Sequence, residues 1–181
     1  YSSNMMTTES KGVISENVLS QVKNSMHFTV QATVSALESL YQENIGKMPE
    51  EELLQLIKRQ FDGVHYSDAG YFFVYQYDGI RLVAPENKSQ EWKNLWDLTD
   101  SKGNKPVQEF IKAAKKGGDF VQYVWLNPKT NLQEDKLSYV AAIKLGNTEW
   151  AVGTETYLPM IANAQTEIST KINNTKNKFL V

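Results

Sequence analysis

Few residues of this sequence have the types or the spacing that catalysis requires. There are two histidines, His27 and His65, and no cysteine, so a thiolate nucleophile and a cysteine-ligated metal site are both excluded. No Gly-x-Ser-x-Gly turn and no phosphate-cradling glycine loop occurs. The histidines and carboxylates do not recur at metal-ligand spacing. We therefore expect a protein that is not an enzyme, with no cofactor and no metal site.

The residues that stand out are aromatic, and they suit binding. The segment 70–79 reads GYFFVYQYDG, in which two glycines enclose strong strand formers. Side chains alternate along a strand, so one face receives Tyr71, Phe73, Tyr75 and Tyr77, and the other Phe72, Val74 and Gln76. Both faces are largely apolar, which predicts a central strand with a pocket on an aromatic face. Asp78-Gly79 predicts a tight hairpin into a second strand.

Composition places the chain among ordinary globular domains. Its 181 residues are 41% hydrophobic and 22% charged, with a formal net charge of -2. Because Lys and Arg are scattered, we expect no nucleic-acid partner. No apolar run approaches the roughly 20 residues that cross a bilayer. The chain starts at Tyr1 and ends at Phe179-Leu180-Val181, so we expect a fragment of a longer protein.

The first element predicted from periodicity is a long helix over residues 5–45. Its apolar positions recur at three- and four-residue steps: Leu19, Val22, Met26, Val30, Thr33, Leu37 and Leu40. At 1.5 Å per residue it would span about 50–60 Å, more than a compact domain of this size needs. We therefore expect it to project from the core or to pack against a second copy as a homodimer.

The remaining elements predict an α+β fold. A short helix begins after Pro49, and another covers 106–114. Strands are expected at 120–126, 136–143 and 150–157, and a last helix begins at Pro159. We predict a PAS-like five-stranded antiparallel sheet in the order 2-1-5-4-3, with the first strand central. The predicted divisions are a long N-terminal helix (1–48), a PAS-like core (49–157) and a C-terminal helix (158–181).

An ordered set of short motifs resembles the single Cache (sCache) domain, the PAS-like extracytoplasmic sensor of bacterial methyl-accepting chemotaxis receptors. The motifs are Gly70–Tyr75, Lys93–Leu98, Phe110–Ala114, Gly117–Val121, Tyr123–Trp125, Lys136–Val140 and Trp150–Thr154. Three positions depart from the family pattern. His65-Tyr66 replaces Arg-Tyr, Ala84-Pro85 replaces His-Pro, and Gly153-Thr154-Glu155 replaces Gly-Thr-Gly.

The resemblance implies a periplasmic domain with a membrane helix on each side and a small-molecule ligand of the acetate, propionate, pyruvate or lactate class. Binding of this ligand would be relayed to the membrane helices as a small displacement. Two other classes stay open. One is the input domain of a sensor histidine kinase or a cyclic-dinucleotide enzyme, and the other is an interaction module without a ligand.

A carboxylate ligand needs a cation or several hydrogen-bond donors, together with an apolar wall. Lys136 is the candidate cation, with a solvated edge lysine as the alternative, and His65 is a candidate donor or a structural histidine. Core packing is favoured for any single one of the aromatic residues, but together they are the candidate walls: Tyr71, Phe73, Tyr75, Tyr123, Trp125 and Tyr139. Trp96 is expected on a loop that covers the pocket. For Arg81 we favour a surface position.

Overall fold

The fold is described by a computed structural model over residues 14–66 and 70–179. Its helices are α1 (Glu16–Asn44), α2 (Glu50–Gly63), α3 (Pro106–Lys115) and α4 (Leu158–Phe179). Its strands are β1 (Phe72–Gln76), β2 (Arg81–Val83), β3 (Asp119–Asn127), β4 (Leu132–Leu145) and β5 (Thr148–Tyr157). The elements follow the predicted order. The predicted start of the first helix, near residue 5, lies outside the described residues.

Helix α1 is positioned by an N-terminal cap and by one apolar stripe. The side chain of Ser15 accepts a hydrogen bond from the backbone N–H of Val18, which satisfies one of the free donors of the first turn. The buried residues follow helical periodicity: Met26, Val30, Val34, Leu37 and Tyr41. This stripe packs mainly against β4, so at least these turns of the long helix belong to the core.

Helix α2 begins directly after Pro49, and its first turn carries Glu50, Glu51 and Glu52. Carboxylates at this end complement the positive pole of the helix dipole. Leu53, Ile57 and Phe61 are buried and contribute to the same core as the α1 stripe. The predicted second helix is thereby confirmed.

The five strands form one antiparallel sheet in the order β2-β1-β5-β4-β3, as predicted. As predicted, β1 is an interior strand, with β2 on one side and β5 on the other, and β5 occupies the middle of the sheet. Strand β1 has five residues and borders the three-residue edge strand β2. Strand β5 is paired along its whole length with β4 and, on its other side, with β1.

The two faces of the sheet have separate cores. Phe72 and Val74 of β1 pack with α1 and α2, whereas Phe73 and Tyr75 pack with α3. The predicted alternation of β1 is confirmed, and both faces are covered by helices. The candidate site lies on the same face of the sheet as α3, in a part of that face that α3 does not cover.

Candidate ligand-binding site

The aromatic cluster on the α3 side consists of Phe73, Tyr75, Phe110 and Tyr123. The ring centroids of Phe73 and Phe110 are 4.9 Å apart, and those of Phe110 and Tyr123 are 5.2 Å apart. All four side chains are buried. These distances are those of rings in direct contact, so this part of the face is core rather than the wall of an open pocket.

A cavity of about 350 Å³ lies next to this cluster, where β3, β4 and β5 reach the same edge of the domain. Segments from five parts of the chain surround it. They are the residues before β1 (His65, Gly70, Tyr71), Glu86 after β2, the end of β3 with the turn that follows it (Asn127, Pro128, Lys129), the strands β4 and β5 (Lys136, Glu155, Thr156, Tyr157) and Met160 of α4. The volume is in the range of small-molecule sites.

Strand register brings the polar groups of this cavity together. Lys136 of β4 is paired with Tyr123 of β3 and with Tyr157 of β5. Ser138, two residues further along β4, is paired with Glu155. Lys136 and Glu155 are therefore diagonal neighbours on one face of the sheet, a separation that long side chains can bridge.

The centre of the site is a buried ion pair. Lys136 Nζ donates to Glu155 Oε1 at 2.6 Å, and the two side chains are 2% and 5% exposed. The ammonium also lies 4.5 Å from the ring centroid of Tyr157, a cation–π distance. Lys136 is buried and paired, so it is not the solvated edge lysine that was the alternative, whereas its contact with a ligand stays a prediction.

Two tyrosines complete the coordination of Glu155. The hydroxyl of Tyr71 donates to Oε1, and that of Tyr123 donates to Oε2 at 2.6 Å. The Tyr123 hydroxyl also lies 2.9 Å from Ser138 Oγ. A buried carboxylate is costly unless its lone pairs are satisfied, and here both oxygens have donors.

The protonation states follow from this arrangement. Burial raises the pKa of Glu155, but Lys136, Arg81 and the Tyr123 hydroxyl outweigh it, so the net pKa lies below the ordinary value. Burial and the charge of Glu155 raise the pKa of Tyr71 and of Tyr123 well above the ordinary value. At neutral pH the carboxylate is ionised and both phenols keep their protons.

Arg81 is buried, which corrects the surface position expected from the sequence. Its side chain is 3% exposed, and it forms an ion pair with Glu86 and a hydrogen bond with Gln90. The guanidinium lies 5.4 Å from the ring centroid of Tyr75. Glu86 lines the cavity, so Arg81 fixes one acidic group of its wall.

The structure brings together some of the nine predicted site residues and separates others. His65, Tyr71 and Lys136 line the cavity, and Tyr123 contacts Glu155 from behind it. Phe73 and Tyr75 belong to the aromatic cluster. Ligand contact by any of the nine stays a prediction.

The other three predicted residues lie elsewhere. Trp125 lines a second cavity of about 350 Å³, which shares Glu86, Pro128 and Tyr157 with the first. Trp96 packs at the edge of the aromatic cluster, and its backbone and Cβ lie close to Gly79. Tyr139 is on the opposite face, beside His27 of α1, and its hydroxyl accepts a hydrogen bond from Gln31.

Sequence reasoning did not include Glu155, Glu86 or Tyr157 among the site residues. A signal for Glu155 was present, because it replaces the final Gly of the Gly-Thr-Gly pattern. It also falls on the same strand face as Ala151 and Gly153, where a charged group needs a buried partner. Within the described residues, His, Asp and Glu nowhere form a group of three or more that could hold a metal ion.

Comparison with known proteins identifies the family. The family model described as Cache domain matches residues 4–178. The chain belongs to the Cache domain family. The resemblance inferred from the motifs is thereby confirmed, and the α+β PAS-like architecture agrees with it.

One curated relative of this Cache domain is the sensor histidine kinase MctS of Rhizobium johnstonii. It is 34% identical over 143 residues, which cover 79% of this chain and 30% of that protein. The chain therefore spans about a third of the length of this relative.

Solved structures include a methyl-accepting chemotaxis protein from Vibrio parahaemolyticus, 26% identical with a TM-score of 0.68, where the match covers 81% of this chain and 95% of that one. Another is a Cache chemosensory domain described for carboxylic acid recognition. It is 25% identical with a TM-score of 0.68, and the match covers 80% of this chain and 99% of that one.

Proposed function

We propose that this Cache domain is the extracytoplasmic, ligand-binding sensor domain of a transmembrane chemotaxis receptor, and that it binds a short-chain carboxylate in the cavity at the strand ends. The observation that carries the proposal is the buried ammonium of Lys136 in the wall of that cavity. A buried cation beside a cavity of this size is the group that an anionic ligand needs.

The rest of the wall supports a ligand with one charged end and a short apolar end. Tyr71 and His65 supply polar groups near Lys136, while Tyr157, Pro128 and Met160 supply apolar surface. This combination suits acetate, propionate, pyruvate or lactate. The similar chemosensory domain described for carboxylic acid recognition supports the same class.

The route that we propose for the signal starts at the last strand. Tyr157 ends β5 and Leu158 begins α4 with no intervening loop, and Tyr157 and Met160 both line the cavity. A ligand that favours one arrangement of this junction shifts its equilibrium by the difference in affinity for the two arrangements. Helix α4 would then transmit a small displacement towards the membrane.

The proposal assigns the helix within residues 1–48 to signalling and dimerisation, the core at 49–157 to binding, and the helix at 158–181 to the exit. Membrane helices are expected outside this chain on both sides. Among residues 14–66 and 70–179, no helix combines the length and the apolar composition that crossing a bilayer requires.

Isothermal titration with acetate, propionate, pyruvate and lactate tests the binding proposal. We expect at least one to bind, and Lys136→Met to weaken that binding at least about tenfold, equivalent to about 1.4 kcal/mol. The matched control is Lys144→Met on the same strand, whose side chain is 71% exposed and which should leave affinity unchanged. Circular dichroism must show both variants folded. Failure of all four acids to bind the wild type would contradict the proposal.

A second candidate is the input domain of a sensor histidine kinase. Its support is the 34% identity to such a kinase, higher than the 26% identity to the chemotaxis protein. The full-length gene decides between them. A kinase domain after residue 181 would favour this alternative, and a methyl-accepting signalling domain would favour the chemoreceptor.

A further inference from the structure

The carboxylate of Glu155 occupies the hydrogen-bond donors that a ligand carboxylate would use. Its Oε1 accepts from Lys136 Nζ and from the Tyr71 hydroxyl, and its Oε2 accepts from the Tyr123 hydroxyl. Lys136 and Tyr71 are also the cation and the hydroxyl of the cavity wall. The domain therefore holds a carboxylate of its own at the cationic end of the cavity.

We propose that Glu155 is an intramolecular competitor of the ligand, and that a carboxylate binds by displacing Glu155 from Lys136. This inference rests on the proposed function, because it concerns how the same cavity takes up its ligand. Glu155 would then lower the affinity for the ligand, because the free energy that the ligand gains at Lys136 is offset by the free energy lost when the Lys136–Glu155 pair breaks.

The occupied donors support displacement over simple addition. Lys136 and Tyr71 both donate to Glu155, and Arg81 is paired with Glu86. A carboxylate added beside the intact pair would be buried without these donors, which is unfavourable. If the ligand takes over the contact with Lys136, its charge is compensated directly.

The other charged and titratable groups around Glu155 leave it an alternative partner. From β2, Arg81 exerts an attraction on the Glu155 carboxylate. From β3 and β4, Tyr123 and Ser138 lie on its far side. The groups that face the cavity around Glu155 are Tyr71, Glu86, His65, Lys129 and Tyr157. A displaced Glu155 can keep Tyr123 and the attraction of Arg81 while it gives up Lys136.

The decisive variant is Glu155→Gln, which keeps the side-chain shape and removes the charge. We expect it to bind acetate or pyruvate at least about tenfold more tightly than the wild type in isothermal titration. The matched control is Glu149→Gln, which removes one negative charge from the same strand at a side chain that is 41% exposed and does not line the cavity. Its carboxylate affinity should change less than about threefold. Propionamide, a neutral isostere of a carboxylate ligand, should not distinguish Glu155→Gln from the wild type.

A measurement on the wild type does not depend on how well the variant folds. Glutamate labelled with ¹³C at the side-chain carboxyl gives a signal for Glu155, identified by its loss in Glu155→Gln or, if that variant does not fold, in Glu155→Asp. Saturation with pyruvate should move this signal, because the carboxylate loses its ammonium partner. The signal of Glu149, which does not line the cavity, should move less.

The outcomes separate this inference from the function on which it rests. Competition is overturned if the wild type binds a carboxylate and Glu155→Gln binds it equally well or more weakly. It is also overturned if the Glu155 signal does not move. Either result leaves the sensing proposal standing. Weakened binding would instead indicate that Glu155 holds Lys136 in the position that the ligand needs. Binding by Glu155→Gln alone supports competition and contradicts carboxylate sensing by the wild type. No binding by either protein overturns both.

Discussion

Two neighbouring regions on one face of the sheet use aromatic residues differently. Beneath α3, the rings of Phe73, Phe110 and Tyr123 contact each other and exclude space. At the strand ends, Tyr71 and Tyr157 border a cavity. The Tyr71 hydroxyl donates to Glu155, and the ring of Tyr157 lies beneath the Lys136 ammonium. The difference is the cover: a helix fills the first region, whereas turns and chain segments enclose the second.

Tyr123 joins the two regions and shows how they depend on each other. Its ring packs on Phe110 in the aromatic cluster, while its hydroxyl holds Glu155 in the site. The packed region thus fixes the position of a group that the open region uses. Rigid support of this kind is what a site with buried charges needs.

The largest difference in stability between the two regions is expected at the ion pair of Lys136 and Glu155. Lys136→Met leaves Glu155 buried without its cation and should lower the free energy of unfolding by about 3–5 kcal/mol. Adding Glu155→Gln removes the stranded charge and should recover much of that loss. Urea unfolding followed by tryptophan fluorescence measures both. A double variant no more stable than Lys136→Met would show that the pair is not the source of the cost.

The next effect concerns packing beneath α3. A Cβ on Gly153 would lie 2.3 Å from the ring of Phe73, which is buried in the aromatic cluster. Gly153→Ala should therefore lower the free energy of unfolding by about 1–3 kcal/mol through overpacking. Gly63→Ala is the control, because no atom lies within 4 Å of its Cβ position. Equal stability of the two variants in urea would contradict tight packing in this region.

The pH dependence of stability tests the state of Glu155. Its pKa in the folded protein lies below the ordinary value of 4.5, so its contribution to stability is complete above about pH 4.5. That contribution is lost as the pH falls through the folded pKa. Asp100 and Glu91 also have lowered pKa values. The informative quantity is therefore the difference in free energy of unfolding between the wild type and Glu155→Gln. Below pH 4.5, the wild type should lose up to about 1.4 kcal/mol more per pH unit than Glu155→Gln. Parallel curves would argue against an ionised Glu155.

The smallest effect is expected at Trp96. It packs at the edge of the aromatic cluster and is not among the residues around the strand-end cavity. Trp96→Ala should change carboxylate affinity less than about twofold, whereas Tyr157→Leu, which removes a cavity wall and a cation–π partner of Lys136, should weaken it more. A larger loss in Trp96→Ala would instead support the ligand contact that the sequence suggested for Trp96.

Local signals in the sequence determined the element order and the faces of β1, and the PAS-like succession of those elements predicted the strand order of the sheet. Helical and strand periodicity, Pro49 before α2 and the Asp78-Gly79 turn all act over a few residues, so they can be interpreted without a structure. The Cache resemblance came from short motifs of the same kind. Lys136 was identified because it begins the predicted strand 136–143, although β4 itself begins at Leu132.

Only the tertiary structure decided which polar groups meet. Lys136 and Glu155 are 19 positions apart in sequence, and their contact depends on the register of β4 against β5. Arg81 is buried because Glu86 and Gln90 approach it from the segment after β2. A charge is tolerated inside a protein only where a partner is placed beside it, and periodicity along the chain does not contain that information.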